Sequence, residues 1–419
     1  MTFDTAVLWH VYPLGFVGAP RDHTDVVEHR LRKITDWLPY ARDLGASVLQ
    51  LGPIFESETH GYDTRDHFRI EPRLGDEADF DALIESASGI GLRVVLDGVF
   101  NHVGRRFPRF LEAESDPSGA AARWFRRTGS GWADFEGHSA LVALNHDEPE
   151  VQDHVRRALQ HWLDRGAAGW RLDAAYAVPP AFWRATVGPV RKRHPDAWFV
   201  GEVLHGDYAR YVADSGLDSV TQYELWKAIW SSIASRNFFE LDWTLRRNDE
   251  LLDSFTPLTF LGNHDVTRIA SQLTDPRHLA IALVVLLTVG GVPSVYYGDE
   301  QAFQGVKEDR AGGDDAVRPA FPRSPADLAP FGVDTYRLHQ RLIGLRRRMP
   351  WLVRARTTVE RLQNEALVYR SESRDDPAQA IRVALNLSDV PQGVDGTLLE
   401  SSGPHAGQVP AHGWTICAV

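Results

Sequence analysis

Four apolar, strand-like runs in this sequence each stop at a carboxylate. They are VVLDGVFNH (Val94 to His102) at Asp97, GWRLDAA (Gly169 to Ala175) at Asp173, WFVGEV (Trp198 to Val203) at Glu202 and LTFLGNHD (Leu258 to Asp265) at Asp265. In a barrel of parallel strands all C-terminal strand ends open on one face, where side chains from several strands meet. Carboxylates gathered there are costly to desolvate unless they perform a task. A lone strand-end Asp is more often a turn former or helix cap, but independent caps have no reason to fall at the same end of four strands. The chemistry that suits the set is acid/base work by paired carboxyl groups. Arg171 lies two residues before Asp173 on the same strand, so both side chains share a face. The expectation is that its guanidinium lowers the Asp173 pKa and keeps that carboxylate ionised.

Eight candidate strands position these residues: Ala6 to Tyr12, Val48 to Leu51, Arg93 to Asp97, Gly169 to Leu172, Trp198 to Gly201, Ser219 to Gln222, Thr259 to Leu261 and Ser294 to Tyr297. Helical periodicity lies between them over Arg30 to Leu44, Glu77 to Ser88, Glu150 to Arg165 and Pro180 to His194. The alternation predicts an α/β fold, a (β/α)8 TIM barrel over residues 1–102 and 147–349. The aromatic-bearing stretch 103–146 reads as a short inserted subdomain after the third strand. Beyond Met349 the rhythm becomes short strands and turns, Ala366 to Arg370, Ile381 to Ser388, Gly396 to Ser401 and Trp414 to Val419. Residues 350–419 are therefore expected to form a small antiparallel β domain.

At 419 residues with 43% hydrophobic content, the chain is long enough for one large domain and a small one. A net charge of −12 argues against nucleic acid and acidic membranes as partners. The most apolar segment, His278 to Gly298, is interrupted by Gly290, Gly291 and Pro293 and reads as a buried helix, a turn and a strand. No basic and apolar leader precedes the first strand, which points to a cytoplasmic address. The single Cys417 excludes an internal disulfide and a cysteine-based metal site.

The four runs, with HGYDT (His60 to Thr64), LVALN (Leu141 to Asn145) and GVPSVYYGDE (Gly291 to Glu300) in the same order, resemble the α-amylase family, glycoside hydrolase family 13, along nearly the whole chain. The resemblance implies Asp173 as nucleophile, Glu202 as general acid/base and Asp265 as the carboxylate that stabilises the transition state. It implies His102 and His264 as ligands of the reacting sugar and Tyr62 as its aromatic platform. Asp97 becomes a structural carboxylate behind Arg171. Asp63 matches a residue that closes the cleft in exo-acting members, with an Asx turn as the equal alternative. Asn101 matches a calcium ligand of many members. The acidic residues of the insertion lack ligand-like spacing, so Asn101 is expected to brace its loop, with no metal and no cofactor required.

The run DAAYAVPPAFW (Asp173 to Trp183) is similar to neopullulanases, cyclomaltodextrinases and α-glucosidase-like members, since Tyr176 and Ala177 stand where endo-acting α-amylases carry Lys-His. The implied activity is retaining hydrolysis of α-1,4 and, as a second option, α-1,6 bonds in malto-oligosaccharides by a monomer or homodimer. Transglycosylation or isomerisation through the same intermediate, or a non-catalytic sugar-binding barrel, are the alternatives.

Overall fold

The computed structural model describes residues 3–129, 131–310, 312–404 and 407–419. Eight parallel strands form one sheet: β1 (Leu8–Val11), β2 (Val48–Leu51), β3 (Arg93–Gly98), β4 (Gly169–Leu172), β5 (Trp198–Gly201), β6 (Ser219–Val220), β7 (Leu258–Phe260) and β8 (Val292–Tyr296). Neighbours in sequence are neighbours in the sheet, and β8 returns to pair with β1, Leu8 opposite Ser294. The ring closes between β6 and β7 by a single parallel bridge, Thr221 with Leu258, where the Gln222 N–H donates to the Leu258 carbonyl at 2.9 Å. All eight expected strands are present, and the sixth is two residues shorter than anticipated.

The helices form for identifiable reasons. Helix α1 (Leu31–Leu44) buries Leu31, Ile34, Leu38 and Ala41 on one stripe and ends at Gly45, whose φ of 105° relieves the left-handed turn. Helix α2 (Glu77–Gly89) starts at a capping box in which the Asp76 carboxylate accepts from the Ala78 and Asp79 N–H groups. Helices α3 (Pro149–Asp164) and α4 (Pro180–Arg193) both begin with proline in the first turn. Helix α5 (Leu279–Thr288) is buried all round because it packs against both the helix Val333–Arg348 and the last strand, Gly413–Ala418. That double contact explains its lack of a polar face. Among the described residues, no helix is long and apolar enough to cross a membrane.

Three excursions surround the C-terminal mouth of the barrel. A hairpin of Phe55–Ser57 and Thr64–Ile70 follows β2 and carries residues 58–63 at its turn. After β3 the chain builds a three-stranded antiparallel sheet from His102–Gly104, His138–Ala143 and Asp134–Phe135, with helix Pro108–Ser115 packed through Phe110 on Phe125 and Trp132. The third is the loop between β8 and helix Val333–Arg348, rich in single 3-10 turns. At the C-terminal end, Arg356–Leu362, Ala366–Glu372, Ala380–Asn386, Gly413–Ala418 and Thr397–Ser401 pair in that order as an antiparallel sheet. The first of these escaped sequence reading because only Thr357 in it is fully buried, so it lacks alternation.

The inner ring tolerates little extra volume where β4 meets β5. A Cβ on Gly169 would stand 2.3 Å from the Trp198 carbonyl oxygen. Gly169→Ala should wedge these strands apart and cost about 1–3 kcal/mol. Urea unfolding would measure the loss, and turnover should fall with it, since these two strands end at Asp173 and Glu202.

Candidate active site

Strand β4 alternates as a barrel strand must. Trp170 points outward onto Phe55 and Phe100, while Arg171 and, just beyond the strand, Asp173 point into the mouth. The guanidinium of Arg171, 3% exposed, donates through Nη1 to both oxygens of Asp97 at 2.9 Å and to Asp173 Oδ1 at 2.8 Å. Its Nη2 lies 2.6 Å from Glu202 Oε1. One cation therefore contacts carboxylates from three adjacent strands. Asp97 is fully buried and also accepts from the Tyr62 hydroxyl at 3.1 Å.

Glu202 is fixed from two further sides. Its Oε2 accepts the Ala174 N–H at 3.0 Å and its Oε1 accepts the Tyr223 hydroxyl at 3.1 Å. Asn263 Nδ2 in turn donates to that hydroxyl at 2.8 Å. Ala174 has φ 44°, in the left-handed region that non-glycine residues seldom occupy. Such strain concentrates at functional sites, and here it turns the amide that follows Asp173 onto Glu202.

The electrostatics correct the expectation for Asp173. Burial raises its pKa well above the usual carboxylate range, and the Glu202 and Asp97 charges add to burial while Arg171 opposes them. The guanidinium is divided among three carboxylates, so it does not supply a full counter-charge to any one. Burial likewise raises Asp97 against the pull of Arg171. Asp265 is different. Burial opposes its ionisation, but His264 and Arg318 outweigh burial and hold its carboxyl well below the ordinary value. His264 Nε2 is 2.9 Å from one carboxylate oxygen and Arg318 Nη2 is 2.9 Å from the other.

Asp173, Glu202, Asp265, Tyr62 and His102 share the wall of a cleft of about 440 Å³. Arg171 and Asp97 lie beneath it. His264 sits behind, 1% exposed, with its ring parallel to Tyr62 at 5.1 Å and Nε2 against the Tyr62 hydroxyl. His102 has both nitrogens engaged, Nε2 with the Tyr62 carbonyl at 3.1 Å and Nδ1 with the Asn101 amide at 3.2 Å. Burial lowers its pKa to about 4, so it meets the cleft as a neutral ring backed by Phe135 at 4.6 Å. Asp63 is not brought to the cleft wall. Its carboxylate accepts the Thr59 hydroxyl at 2.6 Å and the Thr59 and His60 N–H groups, closing the loop before it. The Asx alternative anticipated a turn toward Thr64 and Arg65, whereas the bonds run backwards. Asn101 braces its loop, with Nδ2 on His102 and its carbonyl accepting the Leu144 N–H at 3.0 Å.

Sequence reading missed Arg318, Tyr223, Glu136 and Lys307, all in the cleft wall. Arg318 comes from the loop after β8, where its Nε donates to the His264 carbonyl at 2.8 Å and its guanidinium lies over Tyr12. A basic residue shortly after the Asp314-Asp315 pair, in the long loop that follows the last barrel strand, was the available signal. Glu136, at φ 53° in the turn of the inserted sheet, accepts the Tyr176 hydroxyl at 2.6 Å across the cleft rim.

Residues 10–329 match the family described as "Alpha amylase, catalytic domain". A cyclomaltodextrinase from a Bacillus species is 30% identical over 298 residues, 66% of this chain and 52% of the relative. Neopullulanase 2 of Thermoactinomyces vulgaris is 29% identical over 337 residues, 76% of this chain and 57% of the relative. The match thus spans little more than half the length of these relatives. A cyclic α-maltosyl-(1→6)-maltose hydrolase from Arthrobacter globiformis, solved with that cyclic sugar, superposes with a TM-score of 0.84 at 25% identity, covering 100% of this chain and 99% of its own.

A raised carboxyl pKa means that the folded state favours the neutral form. Above the unfolded-state value near 4 the fold loses stability as pH rises toward the folded value, and below it both states are protonated. Asp173→Asn should therefore raise the thermal midpoint by a few degrees at neutral pH. The gain should shrink as pH falls and vanish below about pH 4. Differential scanning calorimetry of both proteins across pH checks the sign.

Proposed function

The chain belongs to the α-amylase family, and from that premise we propose that it is a retaining hydrolase of α-1,4 glucosidic bonds in malto-oligosaccharides, with α-1,6 bonds as the second option. The observation that carries the reading is the shared guanidinium: Arg171 donates to Asp173 Oδ1 at 2.8 Å and its Nη2 is ion-paired with Glu202 Oε1 at 2.6 Å. Closely spaced carboxyl pairs, ~5–5.5 Å apart, suit retention through a covalent intermediate. Family members need no organic cofactor, and in our reading this chain needs no metal for turnover.

The reactive form carries the proton on Glu202 and the charge on Asp173. In the first step Glu202 gives its proton to the glycosidic oxygen while an Asp173 carboxylate oxygen bonds to the anomeric carbon and the C–O bond to the leaving sugar breaks. The leaving sugar departs as an alcohol. In the second step the Glu202 carboxylate takes a proton from water, whose oxygen displaces Asp173 from the sugar and restores both groups. Asp265, held ionised by Arg318 and His264, supplies negative charge to the oxocarbenium-like transition state. Tyr62 and the His102 ring pack against the sugar. The name of one relative, a cyclomaltodextrinase, supports small α-glucans over starch granules. We assign residues 1–102 and 147–349 to the catalytic barrel, 103–146 to an inserted subdomain and 350–419 to a C-terminal β domain. We place the protein in the cytoplasm as a monomer or homodimer.

Proton NMR of maltotriose cleavage should show the α-anomer of the product first. Early appearance of longer oligosaccharides would instead identify transfer to sugar acceptors. Glu202→Gln should lower turnover of maltotriose by roughly 10²–10⁴-fold, while the first-turnover burst of fluoride from an α-glucosyl fluoride, whose leaving group needs no proton, should fall much less. Unchanged turnover in Asp173→Ala would sink the mechanism. A product profile on β-cyclodextrin, pullulan and isomaltose assigns linkage choice.

A further inference from the structure

Away from the cleft, two histidines from distant parts of the chain face each other. His278 ends the 3-10 turn Pro276–His278 that leads into α5, and His412 sits in the turn before the final strand of the C-terminal sheet. Their rings stack at 5.3 Å, with His278 Nε2 3.0 Å from His412 Nδ1. Asp275 Oδ2 lies 3.9 Å from His278 Nε2, and one ligand atom from each of the three residues falls within 4.8 Å of the others. Four-coordinate zinc with bonds of ~2.0–2.1 Å holds its ligand atoms ~3.3 Å apart. The separations here straddle that spacing, so small side-chain rotations suffice to close it.

The surroundings fit the same group. His412 Nε2 donates to Asp389 Oδ1 at 2.7 Å, the carboxylate–histidine arrangement that orients metal-bound imidazoles. That bond fixes the tautomer and leaves the Nδ1 lone pair facing His278. His412 has φ 49°, held by its N–H bond to the Ser388 carbonyl at 3.1 Å. The side chains of His278 and His412 are 3% and 6% exposed, while Asp275 is 23% exposed and opens the site to water. Arg277 forks onto both oxygens of Asp275. Its own side chain is 58% exposed, and such rim pairs are weak in water, so a divalent cation competes with it for Oδ2.

We propose that Asp275, His278 and His412 form a zinc site, with water as fourth ligand and Asp389 as the outer carboxylate, that fastens the barrel to the C-terminal sheet. On binding, zinc takes the place of the His278 Nε2 proton, which moves to Nδ1 of the same ring, and both histidines stay neutral. The site is independent of the glycosidase reading, because none of its residues lines the cleft.

The test uses the untagged full-length chain after chelator treatment, titrated with zinc chloride by equilibrium dialysis and thermal unfolding. One zinc per chain is expected, with a midpoint raised by roughly 3–5 °C at a hundredfold excess over Kd. His278→Ala and His412→Ala should each weaken binding at least a hundredfold. Asp389→Ala, an exposed change that leaves the fold intact, should weaken it about 10–100-fold. Turnover on maltotriose should stay the same in all three. Absence of stoichiometric zinc in the parent chain, retention of zinc by the two histidine variants, or an affinity unmoved in Asp389→Ala would overturn the proposal.

Discussion

A single buried cation sets the geometry of the barrel mouth. Arg171 contacts Asp97 from β3, Asp173 from its own strand and Glu202 from β5. Taking four charged groups out of water costs several kcal/mol each, and only their mutual attraction and the added donors offset it. Tyr62, Tyr223 and the Ala174 amide supply those donors. The hairpin after β2, the helix after β6 and the backbone beyond β4 are thereby all referred to one guanidinium. Removing it would leave three carboxylates buried without compensation, so the same contact governs both folding and site geometry.

The division of charge also separates the carboxylates by role. Asp97, Asp173 and Glu202 draw on one cation among them, whereas Asp265 has His264 and Arg318 close at hand. Burial and mutual repulsion raise the Asp173 and Asp97 carboxyls, while Asp265 stays ionised. Acid/base chemistry needs carboxyl groups whose proton affinities differ, and here the difference arises from how two arginines are shared. Neighbouring rings keep these contacts dry: His264 stacks on Tyr62, and Phe135 covers His102.

Much of this was legible in the sequence because the eight strands are short, apolar and punctuated by charge at one end. Asp97, Arg171, Asp173, Glu202 and Asp265 could be placed at the mouth from strand polarity alone. The hairpin after β2 and the strand Arg356–Leu362 were not legible, since their burial follows tertiary packing and shows no period of two. Arg318 and Tyr223 escaped because their significance rests on distance in space, from Asp265 and Glu202, with no strand-end pattern around them. The Asp173 protonation preference was misread for a related reason. Spacing showed that Arg171 was near, and the resemblance set Asp97 behind it, but neither showed that Glu202 would share the same guanidinium. Asp63 was a true ambiguity in sequence, and only the direction of its hydrogen bonds, toward Thr59 and His60, assigns it to its loop.

The barrel is not equally strong around its circumference. Seven of its junctions are ladders, but β6 and β7 meet through one bridge at Thr221 and Leu258. Amide exchange should be fastest across this seam, where few hydrogen bonds must open. The residue that anchors the acid, Tyr223, begins the helix immediately after it. Breathing at the seam would thus loosen the Tyr223 hydroxyl from Glu202, while the Arg171 and Ala174 contacts still hold that carboxyl in place.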